Sequence, residues 1–87
     1  MKPINMLSSD FKPGVYQHYK GNHYLALGLA REDETEELVV VYVRLYPRAG
    51  VPMSTRRLNV WSEMVAGPHG ELRPRFVYVG GETPPAP

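Results

Sequence analysis

The stretch HYKGNHY, residues 18–24, gathers two histidines, two tyrosines and a lysine around one glycine. Histidine is the side chain whose ordinary pKa suits proton transfer or metal ligation near neutrality. Both uses need convergence. If Gly21 and Asn22 close a two-residue hairpin, Lys20 faces His23, Tyr19 faces Tyr24, His18 faces Leu25 and Gln17 faces Ala26. Directly opposed residues share a face, so this register turns His18 and His23 to opposite sides. It also sends His18 toward the leucines, where a backbone hydrogen bond is expected to hold it. The remaining histidine, His69, is distant in sequence, and no cysteine is present to complete a zinc shell. No metal site is expected. Other reactive patterns are absent as well. There is no G-x-S-x-G elbow and no glycine-rich phosphate loop. The acidic run EDETEE lacks the glycine and alternate spacing of a calcium loop. No catalytic residue and no cofactor are assigned.

A second group could bind rather than react. HYLALGLA alternates strictly, and LVVVYVRLY is rich in β-branched and aromatic residues, so both read as strands. One reading turns Leu25, Leu27, Leu29, Val39, Val41, Val43 and Leu45 inward. Tyr24, Ala26, Gly28, Tyr42, Arg44 and Tyr46 then form the opposite face, a floor of small residues flanked by tyrosines and one arginine. Tyrosine rings offer stacking surface, and an arginine fork suits phosphate or carboxylate. Tyr19 joins this side by the hairpin register, and Arg56, Arg57, Arg73 and Arg75 would add charge if they gather nearby. The candidate ligand-binding set is therefore Tyr19, Tyr24, Tyr42, Arg44, Tyr46, Arg56, Arg57 and Arg75. The competing reading covers this same face with the segment around Trp61 and makes the tyrosines part of the core. A one-residue slip in register exchanges the two faces.

The elements that must position these groups are short. PGVYQHY reads as a strand entered from a turn, the acidic run as a solvated turn, and PRAG (47–50) as another turn. VPMST follows as a short strand that Pro52 confines to a sheet edge. Leu58, Trp61 and Val65 fall at helical spacing, giving one or two turns with Thr55 as candidate cap and Trp61 as a packing residue. GPHG is a turn, and RPRFVYV a last strand. The fold class is mainly β: a small SH3-like, strongly bent antiparallel sheet or partly open five-stranded barrel with one short helix. Residues 1–13 read as a loosely ordered lead-in, 14–79 as one small β domain and 80–87 as a flexible tail.

From Gly14 onward the chain resembles a known bacterial family, the domain of unknown function 1653. The resemblance rests on GVYQHYKGNHYLALGLA, then Glu34 and Thr35, then Leu45 and Tyr46, and finally Pro74, Arg75 and Phe76. It covers residues 14 to about 79 and implies a small compact domain, without supplying an activity. The chain departs from the pattern where Glu32 replaces a histidine and Ser54 a tryptophan. It departs again in RRLNVW (56–61), with Arg57 in place of proline and Trp61 in place of phenylalanine.

The totals narrow the function further. Eighty-seven residues leave room for one core, and 43% hydrophobic content with 22% charged residues is globular. REDETEE (31–37) holds five of the nine acidic residues, so the rest of the chain carries nine bases against four acids despite a net charge of +1. The N-terminal MKPINMLSSDFKPG lacks the apolar segment of a signal peptide, and the longest apolar run is far too short to span a bilayer. A soluble cytoplasmic protein without membrane association is expected, a monomer or weak homo-oligomer. Its expected role is a non-enzymatic binding module for nucleic acid or a nucleotide-like ligand. The alternative is a protein- or peptide-interaction module. A small enzyme using His18 or His23 beside Glu34, Glu36 or Glu37 is the least supported.

Overall fold

The computed structural model describes residues 11–80. Among the described residues seven strands and a single helical turn follow one another: β1 (Gly14–His18), β2 (His23–Arg31), β3 (Leu38–Arg44), β4 (Met53–Arg57), α1 (Leu58–Trp61), β5 (Met64–Ala66), β6 (Leu72–Pro74) and β7 (Phe76–Gly80). Five of them form one antiparallel sheet in the order β4-β3-β2-β1-β7, and β5 pairs with β6 in a second, two-stranded sheet. The main sheet is open, with β4 and β7 as its edges. Among the described residues the expected mainly-β class with one short helix is what the chain adopts. Pro52 directly precedes edge strand β4, where a missing N–H costs least.

Three local expectations are corrected. The hairpin at Gly21 is longer than two residues. Gln17 opposes His23 and Tyr16 opposes Tyr24, leaving a five-residue loop of residues 18–22. That loop closes on itself: the His18 N–H donates to the Asn22 carbonyl at 2.8 Å and the Gly21 N–H to the His18 carbonyl at 2.7 Å. The helix is also shorter than its spacing suggested. It stops at Trp61, and Val65 lies in β5, because residues 64–66 gain ladder partners from 72–74 across the GPHG turn. Thr55 is inside β4 rather than capping α1, whose N-cap is Arg57 with no side-chain cap bond.

The third correction concerns which face is buried. The core cluster is Tyr16, Ala26, Val40, Tyr42, Trp61 and Phe76, with Phe11, Tyr24, Leu29 and Leu58 packed against it. Tyr42 is only 8% exposed, whereas Leu27 is 47% exposed. The tyrosine face is therefore the interior, and the stripe of Leu25, Leu27, Val41 and Val43 lies on the other side of the sheet. The reason is area. An aromatic ring buries about 150–250 Å², and edge-to-face ring pairs add about 0.5–1.5 kcal/mol each beyond that. Trp61 stacks on Phe76 with centroids 3.7 Å apart and planes at 7°, and meets Tyr16 and Tyr42 at 5.3 and 5.1 Å. α1 thus lays its tryptophan across the sheet and encloses the rings.

A bulge lets β2 serve this core along its whole length. The β2–β3 register runs Ala26 to Tyr42, then skips, and resumes with Gly28 to Val41 and Leu29 to Val40. Leu27 is the extra residue, and after it the parity reverses, so Ala26 and Leu29 both face the interior. Gly28 holds φ +154°, a backbone state that side-chain-bearing residues rarely adopt. At the other end of the sheet Gly14 is required by close approach: a Cβ there would lie 2.5 Å from the Gly80 carbonyl oxygen.

The packed unit starts earlier than residue 14. Phe11 stacks on Tyr16 at 5.8 Å, and the Tyr16 hydroxyl donates to the Lys12 carbonyl at 2.7 Å. The remainder of the expected lead-in, residues 1–10, and the tail beyond Gly80 lie outside the described residues.

Candidate functional site

Although the tyrosine face is closed at its centre, it opens at one rim. There β2 begins, β3 ends and the 45–52 loop turns back into β4. Tyr24 sits opposite Arg44 and Ser54 opposite Tyr42. A cavity of about 130 Å³ lies between them, lined by Tyr24, Tyr42, Arg44, Tyr46, Arg48, Pro52, Ser54 and Arg56. Five of the eight sequence candidates line it: Tyr24, Tyr42, Arg44, Tyr46 and Arg56. Among the described residues no carboxylate does.

The hydroxyls of Tyr24 and Tyr46 are 2.9 Å apart. Burial, followed by this bond, pushes the Tyr24 pKa up to about 12. Tyr46 moves the opposite way, held below the usual phenol value by the bond from Tyr24 and then by Arg48 and Arg44. Either hydroxyl can be the donor in this bond. Whichever donates, one hydroxyl proton of the pair remains available to a further acceptor in the cavity.

Arg44 plays a different part from the ligand fork expected of it. Its Nη1 donates to the Val51 carbonyl at 2.8 Å, and its Nη2 reaches the carbonyls of Arg48, Ala49 and Gly50 at 2.5, 3.2 and 2.7 Å. The guanidinium is the hub around which the loop is wound. It keeps its charge beside the cavity but spends most of its donors on backbone. Arg48, which the loop carries, and Arg56 have no carboxylate partner within 4.0 Å among the described residues. Arg56 lies over the Phe76 ring at 5.5 Å, between the cavity and His18.

The other three candidates are elsewhere. Tyr19 is in the 18–22 loop, its ring 4.5 Å from that of His18. Arg57 pairs with Glu37 at 3.4 Å. Arg75 pairs with Glu63 at 2.8 Å, while its Nε is buried without a hydrogen-bond partner. Arg48 and Ser54 were missed. Arg48 carried a signal, lying two residues beyond Tyr46 in a turn; Ser54 carried none until the β3–β4 register was known.

His18 is half-buried and its Nδ1 accepts the Lys20 backbone N–H at 3.2 Å. The backbone bond was expected, but the surroundings were not leucines. The ring meets Phe76 at 4.9 Å and Tyr24 at 6.3 Å, because the longer loop keeps even-numbered residues of β1 on the aromatic side. Burial, then Arg56, Arg75 and Lys20, hold its pKa below the usual 6.5. The acidic run is at the opposite end of β2, a strand of nine residues or roughly 30 Å. There Glu32 accepts the N–H groups of Glu34 and Thr35, both at 2.8 Å, and its carboxyl pKa falls accordingly. Among the described residues no group of three or more His, Asp or Glu could hold a metal ion, and no helix is long and apolar enough to cross a membrane.

Larger clefts exist, and one of about 430 Å³ has Leu38 and Leu58 in its lining. Its charged walls, Glu37 and Arg57, pair with each other, which leaves Asn59 and Ser62 as its uncharged polar lining.

A comparison with curated proteins found no match. Among solved structures, the chain is similar to a crystal structure of a DUF1653 protein from Bordetella bronchiseptica, with 65% identity and a TM-score of 0.83, covering 90% of this chain and 99% of that one. Residues 14–78 match the family described as "Protein of unknown function (DUF1653)". Spanning most of the chain, that match places the protein in the DUF1653 family.

Proposed function

We propose that this protein is a small non-enzymatic binding module that engages nucleic acid or a nucleotide-like ligand through its tyrosine–arginine rim. One observation carries the reading: three arginines, three tyrosines and a serine converge on a 130 Å³ cavity that no acidic side chain among the described residues lines. Such a lining attracts an anion and repels a cation. Base stacking cannot use Tyr42, which is core. Tyr19 outside the core remains as a ring platform, and a stacked base is worth about 1–3 kcal/mol. Enzymatic use of His18 is disfavoured by its backbone-bound Nδ1 and its separation from the acidic loop. The test is binding of fluorescent single-stranded oligonucleotides at two salt concentrations. Affinity should fall as salt rises; absent or salt-independent affinity overturns the proposal.

A protein- or peptide-interaction module is the second reading, and a separate observation favours it. β4 is an edge strand, with Val51 and Met53 exposed beside it. An extended peptide could add to that edge. This reading requires a partner recovered by wild-type protein and lost with a folded Thr55→Pro variant.

A further inference from the structure

The cavity has features that go beyond a general attraction for polyanions. We infer that it takes a terminal phosphate, the monoester group at the end of a nucleotide or nucleic-acid strand, in preference to an internal phosphodiester. The inference rests on the reading above and names the part of the ligand that the rim recognises.

Size is the first argument. At about 130 Å³ the cavity has roughly a third of the volume of the other clefts, at about 380–430 Å³, and suits a compact oxyanion group better than a length of strand. Tyr42, itself buried, closes the floor, and the loop wound around Arg44 forms a wall with Pro52. A group that ends in the cavity fits.

The donors give the second argument. A phosphomonoester carries about −1.5 to −2 charges near pH 7 and three acceptor oxygens. A diester carries one charge and two unbridged oxygens. Around this cavity Arg48 and Arg56 bring two cations without carboxylate partners among the described residues, and Arg44 adds its charge from the loop hub. The Tyr24–Tyr46 hydroxyl pair adds a donor, since the one bond between them uses only one of their two protons. The donor set exceeds what a diester can accept and suits a dianion with three oxygens. Charge-assisted hydrogen bonds of this kind are about twice as strong as neutral ones.

The experiment compares a short oligothymidine bearing a 5′- or 3′-terminal phosphate with the same strand ending in hydroxyls, at one salt concentration, with inorganic phosphate as competitor. The expected result is at least about tenfold tighter binding of a phosphorylated strand, relieved by inorganic phosphate. Arg48→Gln lies in an exposed loop and should leave the melting temperature unchanged while removing most of that preference. Tyr46→Phe provides an independent second variant and should reduce the preference several-fold. Equal, salt-sensitive binding of phosphorylated and hydroxyl-ended strands overturns the terminal-phosphate inference and leaves the nucleic-acid reading standing. No binding of any strand, or binding of inorganic phosphate alone, overturns both.

Discussion

The two faces of the main sheet are both apolar, yet they do different work. One carries Tyr16, Tyr24, Tyr42 and Phe76 under Trp61 and holds the fold together. The other carries Leu25, Leu27, Val41, Val43 and Met53, and Leu27 and Met53 are about half exposed. What separates them is the size of the side chains and the lid that α1 provides. A helical turn of four residues is enough to decide which face becomes interior, because its tryptophan touches rings on three strands. The polar rim exists only where that lid ends.

The sharpest way to break this contrast is Trp61→Ala. It should cost about 3–5 kcal/mol in chemical denaturation, a large share of the stability of so short a chain. A loss under 1 kcal/mol would mean that the rings do not depend on the lid. Next comes Gly28→Val, expected to cost about 1–3 kcal/mol by forcing a branched residue into the bulge. If the variant is as stable as wild type, the parity reversal does not need glycine. Arg44→Lys should cost about 1–2 kcal/mol, since one ammonium cannot reach four carbonyls, and hydrogen exchange should rise across residues 47–52. Unchanged exchange there would show that the loop stands without its hub.

A milder effect follows from His18. Its folded pKa lies below the usual 6.5, so the unfolded chain takes the proton first as pH falls. The contribution is complete above about 6.5 and is lost as pH drops through that value and on through the lower folded one. His18→Gln should flatten this part of the stability profile, measured by denaturation at several pH values. At the bottom of the scale is Leu27→Thr on the open face, expected to stay within about 0.5 kcal/mol. A larger loss would mean that this face is covered in solution.

Much of the fold was legible in the sequence. The five strands of the main sheet, the acidic turn, the edge position after Pro52 and the packing role of Trp61 all follow from composition and local pattern. The facing of the strands does not. LVVVYV is apolar at every position, and LALGLA alternates large with small rather than apolar with polar, so neither states which side is wet. Gly21-Asn22 suggested a tight turn, but His18 and Gly21 close a longer loop and shift the register by an odd number of residues. The rim survived this error for a geometric reason: Tyr24, Tyr42, Arg44 and Tyr46 share a side whichever way that side points. Arg57 and Arg75 could not be sorted from Arg56 without knowing that Glu37 and Glu63 stand beside them.

The supernumerary Leu27 gives β2 two reading frames, one for the rim half of the strand and one for the half that meets the acidic turn. Shortening the strand by that residue would fuse the frames and force one half to present its wrong side. Length changes in this domain are therefore better tolerated in the 32–37 connection than in the 45–52 loop bound to Arg44, and within β2 only if they preserve the offset.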